Sequence, residues 1–294
     1  GGLNVSSISE RRLAFRRVLE GSVCVHPGSV FDPMSARIAE EIGFEVGMYA
    51  GSTASLTVLG APDLILLTLT EFAEQARRIC RAVRRLPVLV DADHGYGNAL
   101  NAMRTVEELE ASGVAAMTLE DTVLPRSFGD GRVTLISLEE GMAKVRAALA
   151  ARDDPSFCIV ARSGVVSVNG VADAVERTWA YTRSGADALF YTGIRTRAEL
   201  DAVAAVATLP IIVGGVEGTE INDRDYLAAR GVRIALQTHA PIMAAQRAIY
   251  ETLKALRDGV QPGDLPLVPK DDLMARVTRD ADYKRWTKEF LGGA

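Results

Sequence analysis

The sequence predicts an α/β protein, a (β/α)8 barrel of the TIM type with a C-terminal helical extension. Eight short apolar runs recur along the 294 residues, and each is followed by a stretch with apolar residues at helical spacing. Gly43, Gly113, Gly185 and Gly231 each stand between a helical stretch and the next apolar run, where a helix commonly ends. Repeated strand–helix units of this kind are typical of parallel sheets with crossover helices.

The eight apolar runs are short, rich in β-branched residues and bounded by Gly or Pro, which is typical of strands buried on both faces. They cover residues 23–31, 45–50, 86–93, 115–121, 157–163, 188–193, 209–215 and 232–239. The helical stretches cover residues 34–42, 71–83, 99–109, 138–150, 171–182, 197–206, 223–229 and 240–256. Helix N-caps are predicted at Thr70 with Glu74, and at Asn222–Asp223 with Asp225.

A closed barrel is favoured over an open doubly wound sheet, because the turn after the first strand, VHPGSVFDP, is not a G-x-G-x-x-G turn. No linker rich in Pro, Gly or Ser divides the chain. We therefore predict a single domain over residues 1–294, with the barrel at about 20–258 and a helical tail at about 259–294. The tail begins with a turn-rich segment and ends in one or two amphipathic helices, which we expect to pack on the barrel or on a neighbouring subunit.

The composition excludes several classes of protein. Apolar residues make up 48% and charged residues 24%, so a disordered or fibrous chain is not expected. No apolar run reaches the roughly 18 residues of a membrane helix, and the arginine-rich start has no apolar core of a secretory signal. A net charge of −5 with interleaved signs argues against a nucleic acid or a membrane surface as partner. Cys24, Cys80 and Cys158 form no C-x-x-C pair, which predicts buried free thiols and a reducing, cytoplasmic setting.

Polar residues collect where the predicted strands end. In such a barrel the carboxyl ends of the strands surround the active site. Asp91 and Asp93 end the third strand, Glu120 lies near the end of the fourth, Arg162 near the end of the fifth, and His239 ends the eighth. Carboxylates, a guanidinium group and an imidazole are therefore expected at one mouth.

Asp91, Asp93 and Glu120 predict a site for a hard cation. Neighbouring carboxylates raise one another's pKa values unless a cation lies among them. Side chains alternate along a strand, so Asp91 and Asp93 should point the same way and Ala92 away. Oxygen ligands suit Mg²⁺, and Mn²⁺ also fits. Taken one at a time, each acid has the alternative of capping a helix or pairing with an arginine.

The segment GSTAS (51–55) follows the second predicted strand. Gly51, Ser52 and Thr53 offer small side chains, hydroxyls and backbone N–H groups, which suit the binding of a carboxylate. His94 lies beside the acids, where a catalytic role and a structural hydrogen bond both stay open. His26 receives no predicted role.

Four segments together resemble a known family. They are VFDPMSARIAEEIGF, YAGSTAS, LGAPDLILLTLTEF and LPVLVDADHGYGNALNAMRTVEELEASGVAAMTLED. Over residues ~10–260 the chain is similar to the phosphoenolpyruvate mutase/isocitrate lyase superfamily, and within it to the oxaloacetate decarboxylase group. The resemblance implies a metal-dependent enzyme that acts on a small α-keto or dicarboxylic acid. It also implies a homotetramer, a dimer of dimers whose last helices exchange between subunits.

The resemblance further implies roles for the acids. By the pattern of the family, Asp91 would bind Mg²⁺ directly, whereas Asp93 and Glu120 would act through metal-bound waters. Asp63, in the A-P-D turn, falls where the family has another acid near the metal.

The same resemblance implies which residues bind the substrate. Ser52, with its neighbours Gly51 and Thr53, and Arg162 fall on the positions that bind the substrate carboxylate. His239 matches the histidine that is associated with the decarboxylase group.

The chain departs from its relatives at three places. Lyases of the superfamily carry K-[KR]-C-G-H after strand four, where this chain has Phe128 at the cysteine position and Asp130 at the histidine position. Ser163-Gly164 replaces the usual Thr-Asn or Thr-Asp after strand five. Residues 214–217 stand near the position at which decarboxylase relatives have a tyrosine. These departures argue against cleavage of isocitrate or methylisocitrate and leave the substrate's size open.

The leading prediction is Mg²⁺-dependent decarboxylation of a small β-carboxy α-keto acid, of which oxaloacetate is the simplest, through an enolate that the metal stabilises. Arg162 and the GSTAS amides would hold the negative charge, and His239 would orient a carboxylate or deliver a proton through water. The glycine-containing segment 122–135 is predicted to close over the mouth as a lid. The alternatives are a C–C lyase acting on a substituted malate or citrate-like acid, and a non-catalytic barrel that binds a keto acid.

Overall fold

Eight parallel strands form a single sheet in a computed structural model that describes residues 7–292. The strands are β1 (Gly28–Ser29), β2 (Gly47–Tyr49), β3 (Val88–Asp91), β4 (Ala116–Glu120), β5 (Cys158–Ser163), β6 (Ala188–Thr192), β7 (Ile211–Gly214) and β8 (Val232–Ala235). Each strand pairs with the next one along the chain. The sheet closes because Val25, just before β1, pairs with Ile234 of β8, and the N–H of Ala235 donates to the Val25 carbonyl at 2.9 Å. The predicted (β/α)8 barrel is confirmed.

Helices connect the strands and extend beyond them. They are α1 (Ile8–Glu20), α2 (Pro33–Ile42), α3 (Gly51–Ala54), α4 (Leu69–Ala82), α5 (Ala99–Ser112), α6 (Leu138–Ala151), α7 (Val165–Asn169), α8 (Val171–Tyr181), α9 (Arg197–Val206), α10 (Arg224–Ala229), α11 (Ala240–Arg257), α12 (Leu273–Val277) and α13 (Asp280–Trp286). Short π-helical segments, Ser55–Leu59 and Thr287–Leu291, continue α3 and α13, and Pro262–Asp264 forms a 3-10 turn. Within residues 7–292, no helix combines the length and the apolar character needed to cross a lipid bilayer.

The chain divides into two compact units. Described residues up to Thr238 form the first unit, which holds all eight strands, and those from His239 onward form the second. The second unit contains α11 and the two short tail helices α12 and α13. The predicted single domain, with its division near residue 258, stays a prediction, and its limits at residues 1 and 294 lie outside the described residues.

Local sequence signals set several helix ends. Gly43 and Gly113 take positive φ angles of 99° and 91° and end α2 and α5 in the left-handed conformation, which costs glycine little. Asp223 caps α10 as predicted, because its carboxylate accepts the N–H of Tyr226 at 3.1 Å.

The predicted N-cap of α4 at Thr70 is wrong by two residues. Thr68 is the cap, since its hydroxyl accepts the N–H of Glu71 and the Glu71 carboxylate accepts the N–H of Thr68 at 2.9 Å. This reciprocal pair is a capping box, which satisfies two N–H groups at once. Thr70 and Glu74 therefore lie inside the helix.

Helix α1, which has no counterpart among the predicted helices, closes the amino-terminal end of the barrel. Phe15 and Leu19 are buried in one cluster with inward-facing residues of most strands. Arg11 donates to the Cys80 carbonyl at 2.7 Å, and Arg12 donates to the Glu110 carbonyl at 2.7 Å. These carbonyls lie at the ends of outer helices, where backbone acceptors lack intrahelical partners and a cation is favourable.

We expect Phe15→Ala to lower the free energy of unfolding by about 3–5 kcal/mol, because a fully buried ring is replaced by a cavity. Denaturant unfolding measures this loss. Leu13→Ala on the same helix is the matched control, since Leu13 is exposed and its replacement should change stability by less than about 0.5 kcal/mol. Equal losses in the two variants would contradict this account of the barrel end.

The three cysteines are free and buried, as predicted. Burial raises the pKa of Cys24 to about 11 and the pKa of Cys80 to about 12. These thiols therefore stay protonated at neutral pH.

Candidate metal and substrate site

Two neighbouring strand ends bring three carboxylates together. Asp91 ends β3, Asp93 follows two residues later, and Glu120 ends β4. One oxygen from each of the three lies within 4.8 Å of the others. The strands are paired in parallel with Asp91 opposite Thr118, so their carboxyl ends meet at the same mouth of the barrel. The predicted acids therefore form one cluster.

A tight turn, rather than strand alternation, places Asp93 beside Asp91. Strand β3 ends at Asp91, and Asp93 takes a φ angle of 49°, in the left-handed region that aspartate tolerates better than most residues. The N–H of Asp93 donates to Oδ1 of Asp91 at 3.0 Å, and the N–H of Glu120 donates to the Asp93 carbonyl at 2.8 Å. The turn thus folds the second carboxylate back onto the first.

The segment Gly51–Thr53 begins α3 against the acid cluster. A Cβ atom on Gly51 would lie 3.0 Å from Oδ1 of Asp93, so glycine permits this close approach. Ser52 is half-buried, and the hydroxyl of Thr53 donates to the Ala50 carbonyl at 2.8 Å. The first N–H groups of a helix lack intrahelical acceptors. The predicted carboxylate-binding segment therefore lies next to the predicted metal ligands.

Arg162, near the end of β5, is paired with the same cluster. Its Nη1 donates to Oδ2 of Asp91 at 2.8 Å and lies 3.7 Å from Oε1 of Glu120. Its guanidinium carbon lies 4.9 Å from the ring centroid of Phe190. Burial disfavours the charge, but Asp91 and Glu120 raise the pKa of Arg162 above its usual value. Among the described residues its buried Nε has no hydrogen-bond partner, so one donor is left for a ligand.

The cluster carries more negative charge than the protein balances. Burial, followed by the charges of Asp91, Glu120 and Asp63, raises the pKa of Asp93 to about 9. Burial also raises the pKa of Glu120, although Arg162 opposes this shift. Asp63 itself is exposed and lies outside the three-acid cluster, so its predicted metal role stays a prediction. Three close carboxylate oxygens fit a hard divalent cation.

These pKa values predict how stability depends on pH. The pKa of Asp93 is about 9 in the folded protein and about 3.8 in the unfolded chain, so between these values the folded state binds more protons. The contribution of Asp93 to the free energy of unfolding therefore falls as pH rises across this window in the presence of EDTA. A divalent cation binds the deprotonated carboxylate, so Mg²⁺ should raise Tm more at pH ~8 than at pH ~6.

Thermal unfolding with EDTA or Mg²⁺ at the two pH values measures this effect. Asp93→Asn is the matched control, since it removes the titrating group with little change in shape and should reduce the pH dependence. A Mg²⁺-induced rise in Tm that is larger at pH ~6 would contradict the prediction.

A second polar network lies behind Glu120. The carboxylate of Asp121, the residue after Glu120, accepts hydrogen bonds from Ser163 Oγ at 2.9 Å, Arg177 Nη1 at 3.0 Å and Tyr181 OH at 2.9 Å. Ser163, one of the departures from the superfamily pattern, therefore has a structural partner. Arg177 and Tyr181 lie on α8, and no motif in the sequence points to them.

Thr122, Lys144 and His94 also lie near the acids. Thr122 Oγ1 donates to Oε2 of Glu120 at 2.6 Å, and Lys144 Nζ donates to the His94 carbonyl at 2.9 Å. Burial, with the nearby charge of Lys144, lowers the pKa of His94 to about 4, so this imidazole is neutral at pH 7. His94 is not a member of the acid cluster.

The two ends of segment 122–135, which is predicted to act as a lid, are paired with each other. Thr122 and Leu135 form an antiparallel bridge, and the N–H of Ile136 donates to the Asp121 carbonyl at 2.8 Å. Phe128, at the cysteine position of the lyases, is fully exposed at the tip. The lid role stays a prediction.

The prediction that His239 ends the eighth strand is wrong, because β8 ends at Ala235 and His239 belongs to the second compact unit. It is half-buried and immediately precedes α11. Its predicted role in the reaction stays a prediction.

The fold and the site define a parallel (β/α)8 barrel with a candidate divalent-cation site at the carboxyl ends of its strands. The model of the phosphoenolpyruvate phosphomutase family matches residues 15–257, and the chain belongs to this family.

Curated relatives and solved structures agree with this assignment. The chain is 56% identical over 282 residues to an oxaloacetate decarboxylase of Rhodopseudomonas palustris (strain BisA53), covering 96% of this chain and 97% of the relative. It matches an oxaloacetate acetylhydrolase in complex with the inhibitor 3,3-difluorooxalacetate with a TM-score of 0.83 and 29% identity, over 97% of this chain and 98% of the other. It matches a phosphonopyruvate hydrolase in complex with oxalate and Mg²⁺ with a TM-score of 0.84 and 26% identity, over 96% and 99%. The predicted resemblance to the superfamily is confirmed.

Proposed function

We propose that this chain is a carbon–carbon lyase that removes CO₂ from oxaloacetate in a Mg²⁺-dependent reaction. The observation that carries the proposal is the cluster of Asp91, Asp93 and Glu120 beside Arg162, in a chain that is 56% identical to an oxaloacetate decarboxylase. Substituted malates or citrate-like acids are not favoured, because the cysteine position of the lyases holds the exposed Phe128.

Asp91, Asp93 and Glu120 would hold the cation, with Asp63 adding negative charge nearby. Mg²⁺ suits these oxygen donors, and Mn²⁺ would serve as well. When bound, the cation supplies Lewis acidity that makes the keto group of the substrate a better electron acceptor. The match to a hydrolase crystallised with oxalate and Mg²⁺ supports this ligand pair.

Arg162 and the start of α3 would bind the keto acid. Nε of Arg162 has no partner among the described residues, so it can donate to a carboxylate without giving up a bond. The backbone N–H groups at Gly51–Thr53 would bind the other oxygens, with Ser52 beside them. Fixed donors in a site with little water stabilise developing negative charge most strongly.

Decarboxylation breaks the bond between the β-carbon and its carboxylate. CO₂ leaves, and the bonding electron pair moves toward the keto oxygen, where Arg162 would stabilise the negative charge. A proton then adds to the β-carbon and gives pyruvate. We assign delivery of this proton, through water, to His239.

His239→Ala should lower kcat by about 10²–10⁴-fold, the usual contribution of a positioned proton donor. The rate of pyruvate formation measures this loss. The affinity for Mn²⁺ is the internal control and should be unchanged, because His239 is not assigned as a ligand. An unchanged kcat would remove His239 from the mechanism.

The direct test follows pyruvate and CO₂ from oxaloacetate with Mg²⁺ or EDTA, beside a protein-free sample that corrects for spontaneous loss of CO₂. We expect rapid turnover that EDTA abolishes. Turnover no faster than in the protein-free sample would contradict the proposal. Glyoxylate released from a malate analogue would instead favour the C–C lyase, and oxalate binding without any turnover would favour a non-catalytic barrel.

We also propose that the chain assembles as a homotetramer, a dimer of dimers, in a reducing, cytoplasmic setting. Ile249, Leu253 and Leu256 lie at helical spacing on α11 and are 59%, 62% and 39% exposed, which leaves an apolar stripe for a second copy to cover. The three free buried thiols agree with a reducing compartment.

A further inference from the structure

Lys144 is a buried cation next to the acid cluster and has no role in the reaction proposed above. It lies on α6 with 4% of its surface exposed. Its Nζ donates to the carbonyl of His94 at 2.9 Å. A lysine is rarely buried to this degree unless its ammonium group has a specific partner.

The partner is the turn that carries Asp93. In this turn Asp93 and Tyr96 take φ angles of 49° and 63°, which are costly for residues other than glycine. Such a turn persists when surrounding contacts hold it. The N–H of Glu120 binds the Asp93 carbonyl at 2.8 Å. Two side chains from neighbouring helices hold the next residues of the turn, since Lys144 binds the His94 carbonyl and Thr105 Oγ1 on α5 donates to the Gly95 carbonyl at 2.8 Å.

Lys144 also adjoins the end of β4. Together with Glu120, Asp121 and Tyr181 it lines a cavity of about 10 Å³, close to the volume that one water requires. Oδ1 of Asp121 is buried and, within residues 7–292, has no hydrogen-bond partner. One side chain therefore adjoins both strand ends that supply the predicted ligands.

We propose that Lys144 is a positioning residue that sets the spacing between Asp93 and Glu120 and thereby the affinity of the site for a divalent cation. This inference rests on the proposed cation site. The direction in which cation affinity changes on replacing Lys144 tests this role, because the positive charge of Lys144 by itself opposes the binding of a nearby cation. Loss of the charge alone would tighten cation binding, whereas loss of the positioning contact weakens it.

The test titrates the EDTA-treated full chain with Mn²⁺ and counts free Mn²⁺ by electron paramagnetic resonance. We expect Lys144→Met to weaken Mn²⁺ binding by about 10–100-fold, the usual effect of removing a residue that orients a metal ligand. Lys144→Gln, which keeps a polar side chain, should shift binding in the same direction and decides the question if the methionine variant does not fold.

Arg152→Met is the matched control, at the residue that directly follows α6. Arg152 Nη1 donates to the Phe157 carbonyl at 2.8 Å and pairs with Asp187 at 2.7 Å. Neither partner belongs to the three-acid cluster. We expect this variant to lower Tm while its Mn²⁺ affinity stays within about twofold of the parent.

Each outcome decides one question. Equal or tighter Mn²⁺ binding in folded Lys144→Met overturns the positioning role, and so does an equal weakening in Arg152→Met. A parent chain that binds no Mn²⁺ overturns the proposed function itself, and the positioning role with it.

Discussion

Asp91→Asn should lower kcat/KM for oxaloacetate by at least about 10³-fold, because a bound cation contributes several kcal/mol and each 1.4 kcal/mol is a factor of ten. Asp91 is the centre of the site. It accepts hydrogen bonds from Arg162 at 2.8 Å, from the N–H of Asp93 at 3.0 Å and from Thr118 Oγ1 at 3.1 Å. The amide keeps the shape of the side chain and removes its charge. Pyruvate formation at saturating Mg²⁺ measures the effect.

Asp187→Asn is the matched control for this variant. Asp187 is an equally buried acid that pairs with Arg152 at 2.7 Å and with Arg16 at 3.1 Å, at the opposite end of the barrel. Its replacement should reduce stability and leave kcat within about twofold. Circular dichroism must show that both variants are folded. Activity that survives in Asp91→Asn with EDTA present would contradict the metal role.

Arg162→Lys should lower kcat/KM by about 10²–10³-fold, although the charge is kept. The guanidinium group binds Asp91 through Nη1, lies over the Phe190 ring and has Nε left for a ligand. A lysine ammonium group cannot make these contacts in one fixed geometry. Because the group would bind substrate and stabilise charge, both KM and kcat should worsen.

Arg162→Met gives the matching comparison, since it removes the charge as well and should lose more activity than the lysine variant. Steady-state kinetics with oxaloacetate and Mg²⁺ measure both. An activity of Arg162→Lys within about threefold of the parent would contradict a role that depends on the planar guanidinium group.

The barrel and the meeting of the acids could be predicted because both follow from local signals. Short apolar runs mark the strands, and in a barrel every strand's carboxyl end lies at one mouth. Asp91, Glu120 and Arg162 are therefore brought together by rules that need no knowledge of distant contacts. The closeness of Asp93 was predicted for the wrong physical reason, since a left-handed turn and not strand alternation places it.

The supporting residues could not be predicted in the same way. Arg177 and Tyr181 reach Asp121 across more than 50 positions of sequence, and nothing near them marks the contact. The sequence gives a weak indication that Lys144 is buried. It lies on the buried stripe of α6 with Gly141 and Val145, where an apolar residue is expected. A charged residue on such a stripe indicates a specific buried partner.

Helix α1 shows a related limit. Arg11 and Arg12 bind carbonyls of α4 and α5, so their contribution to stability depends on contacts that are remote in sequence. Arginines are mostly exposed in folded proteins, whereas Arg11 and Arg12 are only 8% and 4% exposed. Long cationic side chains can be buried when their donors are fully used.

A crystal structure of the protein with Mg²⁺ and oxalate tests the central claim most directly, since oxalate imitates the enolate of pyruvate. We predict one ion between Asp91, Asp93 and Glu120, with oxalate beside it and in contact with Arg162. Carboxylates that bind only Arg162, with no ion among them at saturating Mg²⁺, would contradict the account.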